Sequence, residues 1–237
     1  MANMTSSVSA SQVAGELASA TFEEIPALVE HYREDPRQQV IKACERALKR
    51  HAKEVDEVGR GSVAGPLTVC AVCLPMEPHV WGINDSKKLT PARRELLSVK
   101  IAEVATAIGF CHIAPKDIDE MGMARAIRTA VAGAVADTGL EPDCVLMDGN
   151  PLGAVPNERD VVKGDAKIAC IAAASIMAKV TRDEMMVEYD AEYPEYHLAE
   201  SKGYASPEHI EAIRKHGLCP LHRVSFCGNF LQTERLF

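Results

Sequence analysis

The order of short apolar segments along the chain is the feature that most constrains its fold. Two segments with strand character, 53–58 and 67–74, follow one another across a turn that contains Gly59, Gly61 and Gly65. After them, segments with helical and strand character alternate. Strands that come first and are followed by alternating helices and strands indicate an α/β layered domain with a mixed sheet.

The later segments extend this pattern. Thr90 followed by Pro91 predicts an N-cap and the first residue of a helix. Further strands are predicted at 108–114, 144–148 and 159–163. Helices are predicted over 91–106, 116–138, 166–190 and 206–216. The fold class is therefore α/β, with helices against the sheet and further helices at the C-terminal end.

The first part of the chain has a different character. Its first twenty residues are rich in Ser and Ala and lack a basic segment followed by an apolar core, so they predict a flexible tail and no signal peptide. Thr21 and Glu24 form a capping-box pattern that opens a helical stretch, which is interrupted at Pro36. We therefore predict a tail with a helical extension over 1–52 and the main domain, including the C-terminal helices, over 53–237.

The composition favours a soluble globular protein. Hydrophobic residues make up 47% of the chain and charged residues 25%, which is ordinary for such proteins. No apolar run approaches the roughly 18–20 residues that a membrane span needs. Most of the eight cysteines lie in apolar segments, as buried thiols do in a reducing compartment. We therefore expect a cytoplasmic protein without a membrane partner.

Residues of zinc-ligand type occur near the C-terminus. They are His216, Cys219, His222 and Cys227. Their spacing matches no regular zinc finger, so we predict no zinc site there.

The charge is negative overall but uneven along the chain. A formal net charge of −8 argues against a generally basic nucleic-acid binder. Residues 84–100, however, hold five Lys or Arg against two acids, a local charge of +3. We therefore expect a local basic surface, and acids elsewhere that include ligands for cations.

Four acids fall at or just beyond the ends of predicted strands. They are Asp56, Glu57, Asp148 and Asp165. In open α/β sheets, ligands bind outside the C-terminal ends of the strands, so acids there are well placed for chemistry. Taken singly, Asp165 also suits a helix N-cap and Asp148 a turn. Taken together, four converging carboxylates need counter-charge, which divalent cations with oxygen ligands provide.

The adjacency of Asp56 and Glu57 sets a stereochemical condition. Neighbours in a regular strand point to opposite faces, so both reach one metal site only if the strand bends or ends there, which Gly59 and Gly61 would allow.

Two metal ions about 4 Å apart are the recurring apparatus of phosphodiester hydrolysis. A single Mg²⁺ in a phosphatase or a nucleotide-binding enzyme would use the same acids, although the sequence contains no G-x-x-x-x-G-K-[ST] phosphate loop.

Five blocks of sequence, in order, resemble those of one enzyme family. They are VDEVGRGSVAGPL at 55–67, NDSKKLT at 84–90, MDGN at 147–150, VKGDAKIACIAAASIMAKVTRD at 162–183 and KGYASPEHIEAIRKHGLCPLHRVSF at 202–226. The ordered set resembles the type 2 ribonucleases H (ribonuclease HII). The resemblance implies a ribonuclease-H-like fold, with a five-stranded mixed sheet flanked by helices.

The resemblance also implies an activity and its catalytic residues. Members of the family cleave RNA in RNA–DNA hybrids with Mg²⁺ or Mn²⁺, and incise 5′ to single ribonucleotides embedded in duplex DNA. By position in the blocks, Asp56, Glu57, Asp148 and Asp165 match the four catalytic, metal-binding acids. Asp183, late in the fourth block, is instead expected to be a structural acid paired with an arginine or a backbone group.

Six further residues match substrate contacts of the family. They are Gly59, Arg60, Gly61, Lys87, Lys88 and Tyr204. In the family, the glycine–arginine–glycine stretch lies against the ribonucleotide, where backbone groups can sense a 2′-OH only if no side chain intervenes. The lysines face phosphates, and the tyrosine helps to recognise the ribose junction. Taken alone, these residues would be surface charges or half-buried packing residues.

Two rival functions use the same residues. A non-catalytic hybrid-binding protein would need the glycine turn and the lysines but no metal. A Mg²⁺-dependent phosphatase would process mononucleotides and ignore duplex length. The four acids argue against the first rival, and the lack of a G-x-x-x-x-G-K-[ST] phosphate loop argues against the second. The resemblance therefore implies a ribonuclease H that uses two metal ions and leaves 3′-hydroxyl and 5′-phosphate ends, and we expect it to be a monomer.

Overall fold

The computed structural model describes most of the chain. The described residues are 9–20, 24–32, 37, 39, 52–75, 78, 80–148, 152–161 and 169–231. The chain divides into two compact units, Met1–Ala52 and Lys53–Phe237. The candidate site lies in the second unit.

Helix α1 (Ala10–Ser19) opens the described part of the first unit. It begins with a capping box, in which the Ser9 hydroxyl accepts a hydrogen bond from the Gln12 N–H and the Gln12 side chain accepts one from the Ser9 N–H. This signal places a helix inside the stretch that the Ser/Ala-rich composition predicted as a tail. The capping box predicted at Thr21 lies outside the described residues.

Helix α2 (Ile25–Tyr32) follows α1 in the first unit. The Tyr32 hydroxyl donates a hydrogen bond of 2.7 Å to Glu16 Oε2 of α1. Val13 and Leu17 of α1 are buried. The two helices are therefore joined by a polar contact beside buried apolar side chains.

Five strands form one mixed sheet. They are β1 (Ala52–Val58), β2 (Leu67–Cys73), β3 (Ala107–Ile113), β4 (Cys144–Asp148) and β5 (Glu158–Val161). Their order in the sheet is β3-β2-β1-β4-β5. β2 pairs antiparallel with both β1 and β3, whereas β4 and β5 are parallel. The predicted α/β class and five-stranded mixed sheet are confirmed.

The helices of the second unit follow the predicted order with one break. They are α3 (Pro91–Val104), α4 (Pro115–Met121), α5 (Met123–Asp137), α6 (Ala169–Glu192), α7 (Leu198–Ser201), α8 (Pro207–His216) and α9 (Val224–Leu231). The stretch 116–138, predicted as one helix, is divided between α4 and α5 because Gly122 adopts φ 78° and ψ 152°, which a helix cannot contain. Among the described residues, no helix combines the length and the hydropathy that a membrane span requires.

Strand β2 lies at the centre of the core because both of its faces are covered. All seven of its residues are buried. Val69 and Ala71 pack with α4 and α5 on one face of the sheet. Cys70 and Val72 pack with α3 and α6 on the other. The alternation of side chains along a strand thus assigns each β2 residue to one of two apolar layers.

A third cluster packs the C-terminal helices against the turn between β1 and β2. Val63 and Ala64 of this turn are buried together with Met186 of α6 and Ile213 of α8. Tyr196, in the 3-10 turn Pro194–Tyr196, belongs to the same cluster. The C-terminal segment therefore supports the glycine-rich turn that follows the first two predicted acids.

Candidate active site

Asp56 and Asp148 lie on adjacent strands and on the same face of the sheet. Their neighbours Val55, Val145 and Met147 belong to the apolar layer beneath α4 and α5. Because side chains alternate along a strand, Asp56 and Asp148 face the opposite side, where α6 packs. The sheet therefore brings together two predicted acids that are far apart in sequence.

The surroundings of Asp56 disfavour its charged form. Burial raises the pKa of Asp56 to about 6, although hydrogen bonds from the Ser175 hydroxyl and the Glu57 N–H act against this rise. The Glu57 N–H lies 2.8 Å from Asp56 Oδ1. The charge of Asp148 raises the pKa further, and that of Lys87 lowers it. Asp56 is thus within the field of both another acid and a lysine.

The pKa of Glu57 is also raised. Burial raises its pKa to about 7, and the charge of Asp56 is the next largest cause. The charge of Arg60 lowers the pKa, since Arg60 Nη1 lies 3.8 Å from Glu57 Oε1. The charge of Asp148 raises the pKa of Glu57 further. Three of the predicted acids therefore act on one another electrostatically.

The chemistry of these acids suits a hard divalent cation. A cation beside Asp56 would favour the charged form that burial penalises, and carboxylate oxygens are the ligands such ions prefer. β1 pairs with β2 in unbroken register from Glu54 to Val58, so the bend that would bring Glu57 to the same face as Asp56 is not observed. Asp165 lies outside the described residues. Across the described ranges, no three His, Cys, Asp or Glu side chains are grouped to hold a metal ion. A metal site built on all four acids therefore stays a prediction.

Asp183 is accounted for by a structural contact on α6. Lys179 Nζ lies 2.7 Å from Asp183 Oδ1, one helical turn away. The partner is a lysine, whereas the sequence suggested an arginine or a backbone group. The contact gives Asp183 a local role that needs no metal.

The predicted phosphate-facing lysines lie on a single 3-10 turn, Ser86–Lys88. Asp85 begins this turn by accepting a hydrogen bond of 3.0 Å from the Lys87 N–H. Lys88 Nζ lies 3.7 Å from Asp85 Oδ2. The Ser86 hydroxyl is 2.8 Å from that of Ser175, the residue that also bonds Asp56. The lysine turn is thus connected to the acid site.

Gly59 and Gly61 have opposite surroundings. Gly59 adopts φ 90°, and a Cβ there would overlap Arg182 Nε and lie 2.9 Å from the Pro66 carbonyl oxygen. A Cβ at Gly61 would meet nothing within 4 Å. Arg60, between them, is exposed. The turn is therefore closed on its inner side at Gly59 and open on its outer side at Gly61.

Two fully buried arginines hold this turn in place. Arg182 of α6 donates to the carbonyls of Pro66, Ala64 and Lys202 and to the Ser62 hydroxyl at 2.8–3.1 Å. Arg223 donates to the carbonyls of Gly59, Arg60 and Gly65 at 2.7–3.3 Å. Burial lowers the pKa of both, and that of Arg223 to about 10, which leaves it charged at neutral pH. Sequence reasoning missed both residues, which appear only as ordinary charges within VTRD and HRVSF.

Tyr204 is joined to the same turn. Tyr204 is 39% exposed, and Arg182 Cζ lies 5.7 Å from its ring centre. The carbonyl of the preceding residue, Gly203, accepts hydrogen bonds of 2.8 and 3.1 Å from the N–H groups of Val63 and Ala64. The structure therefore places the predicted ribose-contacting tyrosine beside the glycine turn.

Two buried histidines form a hydrogen-bonded chain that ends at the backbone of Tyr204. His209 Nδ1 lies 2.8 Å from the Tyr204 carbonyl oxygen, and His209 Nε2 lies 3.1 Å from His222 Nε2. His222 Nδ1 accepts a hydrogen bond from the Cys219 N–H. His222 therefore donates through Nε2 to a neutral His209, which donates to Tyr204. Burial lowers the pKa of both histidines, and the pKa of His222 to about 4.

The residues of zinc-ligand type do not form a metal centre. Cys219 Sγ is 3.1 Å from His222 Nδ1, but Cys227 Sγ contacts the Val63 carbonyl oxygen. Over the described part of the chain, no His/Cys cluster is arranged to bind a metal. The contacts of Cys219 and His222 are instead part of the support for Tyr204.

Comparison with known proteins gives the family. The model of the family described as Ribonuclease HII matches residues 54–229. The ribonuclease HII of Ruminiclostridium cellulolyticum is 46% identical over 179 residues, which cover 75% of this chain and 70% of the relative.

Solved structures agree on the fold. The ribonuclease H2 of Pyrococcus horikoshii OT3 is 28% identical with a TM-score of 0.64, covering 74% of this chain and 93% of that one. Bst-RNase HIII in complex with Mn²⁺ is 19% identical with a TM-score of 0.61, covering 74% of this chain and 67% of that one, which shows a shared fold. The chain belongs to the ribonuclease HII family, nucleases of the ribonuclease H type that act on RNA–DNA hybrids.

Proposed function

We propose that this protein is a divalent-metal-dependent endonuclease with two related substrates. It hydrolyses the RNA strand of RNA–DNA hybrids, and it incises 5′ to single ribonucleotides embedded in duplex DNA. Both reactions leave 3′-hydroxyl and 5′-phosphate ends. The observation that carries the proposal is electrostatic: burial, together with the charges of neighbouring acids that include Asp148, raises the pKa of Asp56 and of Glu57.

Asp56, Glu57, Asp148 and Asp165 are the residues that would hold Mg²⁺ or Mn²⁺. When bound, two such ions supply an activated water and stabilise the leaving oxygen. The Ser175 hydroxyl and the Glu57 N–H orient the Asp56 carboxylate. Arg60 and Lys87 partly offset the charge of the acids. The presence of Mn²⁺ with Bst-RNase HIII supports the choice of ion.

The glycine turn and Tyr204 would recognise the substrate. Gly61 leaves open space where a side chain would otherwise lie, so backbone groups can approach a ribose 2′-OH. Tyr204 offers an aromatic surface beside them. Lys87 and Lys88 lie on the exposed turn next to Asp56 and would contact phosphates.

The organisation of the whole chain completes the proposal. We assign catalysis to 53–237, which holds all of the predicted site residues. A monomer suffices, because the acids, the glycine turn and Tyr204 all belong to one chain. No disulfide forms among the described cysteines, which supports a cytoplasmic location.

The decisive experiment compares three duplexes of one sequence: an RNA–DNA hybrid, DNA with a single ribonucleotide, and all-DNA. Each is incubated with Mg²⁺, Mn²⁺ or EDTA. We expect cleavage of the first two with either metal and none in EDTA. Binding without cleavage in metal would support a hybrid-binding protein, and release of phosphate from mononucleotides would support a phosphatase.

Substitution at Asp148 tests the acid site. Asp148→Asn is expected to lower kcat by at least about 100-fold, because a misplaced metal forfeits several kcal/mol of charge stabilisation. Asp183→Asn is the matched control, since Asp183 is an aspartate on α6 already paired with Lys179. Its rate should stay near that of the unsubstituted protein. Cleavage by Asp148→Asn at the control rate would refute the assignment.

A further inference from the structure

Arg223 makes contacts that differ from those of an ordinary buried arginine. Its side chain is fully buried, yet the partners of its guanidinium are neutral backbone carbonyls. Nη1 donates to the carbonyl oxygens of Gly59 at 2.7 Å and of Arg60 at 3.3 Å. Nε and Nη2 both donate to the carbonyl oxygen of Gly65. One charged group thus fixes two successive peptide units of the glycine turn from the inside.

The orientation of those peptide units follows from covalent geometry. In a planar trans peptide the C=O and the N–H point in opposite directions. The Gly59 carbonyl shares its peptide unit with the Arg60 N–H, and the Arg60 carbonyl with the Gly61 N–H. Because Arg223 draws both carbonyls inward, both N–H groups point outward, on the side where Arg60 and Gly61 are exposed.

The two outward N–H groups have no competing acceptor in the described part of the chain: no hydrogen bond from either is formed there. Successive N–H groups on one exposed side of a turn are donors that a negatively polarised oxygen can accept from. A Cβ at Gly61 would meet nothing within 4 Å, so such an oxygen can approach.

We propose that Arg223 is a positioning residue that aims the N–H groups of Arg60 and Gly61 at the 2′-oxygen of the ribonucleotide. The inference rests on the proposed function and adds the residue that sets its specificity for ribose. Arg223 acts through the peptide groups and does not touch the substrate. Arg182, by contrast, holds the later part of the turn at Ala64 and Pro66.

The test is the ratio of two dissociation constants measured in EDTA. One duplex contains a single ribonucleotide, and the other is all-DNA with the same sequence, so phosphate contacts are the same in both. Arg223→Lys keeps the charge but lacks the planar fork that reaches several carbonyls at once. We expect it to lower the preference for the ribonucleotide duplex by about tenfold, as loss of one to two aligned hydrogen bonds would.

Ile213→Ala is the matched control for loosened packing. Ile213 is fully buried in the same cluster as Val63 and Ala64, but its side chain has no hydrogen-bond donor. Its loss should lower the melting temperature and leave the ratio unchanged. An unchanged ratio in folded Arg223→Lys would overturn the proposal, and so would an equal fall in both variants.

A measurement on the unsubstituted protein keeps the proposal testable should Arg223→Lys fail to fold. Amide hydrogen exchange at Arg60 and Gly61 is expected to slow more with the ribonucleotide duplex than with the all-DNA duplex. Equal protection by both duplexes would refute the inference. A protein that shows no preference for the ribonucleotide duplex would instead contradict the proposed function itself.

Discussion

Alanine at Gly59 and alanine at Gly61 are expected to have opposite effects, although both replace a glycine of one turn. At Gly59, alanine must adopt φ 90°, which costs about 1–2 kcal/mol. Its Cβ would also overlap Arg182 Nε and lie 2.9 Å from the Pro66 carbonyl oxygen. Moving the Arg182 guanidinium forfeits a charged hydrogen bond, about 1.5–3 kcal/mol.

The expected loss for Gly59→Ala is therefore about 3–5 kcal/mol of unfolding free energy, a large share of the 5–15 kcal/mol typical of a domain. For a chain of this size, that corresponds to a fall in melting temperature of roughly 6–20 °C. Gly61→Ala meets no neighbour and should change stability by about 1 kcal/mol or less. Its methyl group instead projects to the side proposed for the substrate, so cleavage at a single ribonucleotide should fall by at least about tenfold.

Thermal unfolding by circular dichroism, together with cleavage measured well below both melting temperatures, separates the two effects. A Gly59→Ala protein that melts within about 2 °C of the unsubstituted protein would refute the clash with Arg182, because even 1 kcal/mol shifts the midpoint by that amount. A Gly61→Ala protein that cleaves at the unsubstituted rate would refute the placement of substrate against the open side of the turn.

Two further predictions concern the acids. The pKa of Asp56 is about 6 in the folded protein against 3.8 for an ordinary aspartate, so the folded state binds its proton more tightly. Stability should fall as pH rises from about 4 to about 6. Asp56→Asn should then be more stable than the unsubstituted protein at pH 8 without metal, by about 3 kcal/mol in urea unfolding, while losing cleavage; a less stable variant would contradict this. Mg²⁺ should raise the melting temperature at pH 8 and much less at pH 5.5, because protons compete for Glu57 and Asp56, whose pKa values are about 7 and 6; an equal rise at both pH values would argue against binding at these acids.

The sequence was informative wherever the physical cause is local. Alternating strand side chains account for Asp56 and Asp148 lying on one face. The α/β class followed from the order of segments. The break at Gly122 was missed because helical propensity on both sides masked a single glycine with positive φ. Helix α1 was missed because its signal, Ser9 with Gln12, lies in a stretch of tail-like composition.

The support of the candidate site was hidden for a different reason. In the sequence, Arg182 and Arg223 look like ordinary surface charges. Their burial depends on carbonyls more than 100 residues away in the chain. His209 was unremarkable in sequence for the same reason, since it bonds both Tyr204 and His222. Asp165 was predicted from its place just beyond a predicted strand and from its block, and it lies outside the described residues. Long-range polar contacts of this kind leave no periodic pattern to detect.

Helix α6 links the two halves of the candidate site. Ser175 bonds Asp56, and Arg182 bonds the glycine turn. Seven residues along a helix make nearly two full turns, so both side chains leave the same flank about 10 Å apart. On the proposed function, α6 would fix the distance between the scissile bond at Asp56 and the ribonucleotide recognised by the glycine turn. One inserted residue would rotate Arg182 by about 100° away from its partners and unlink the two.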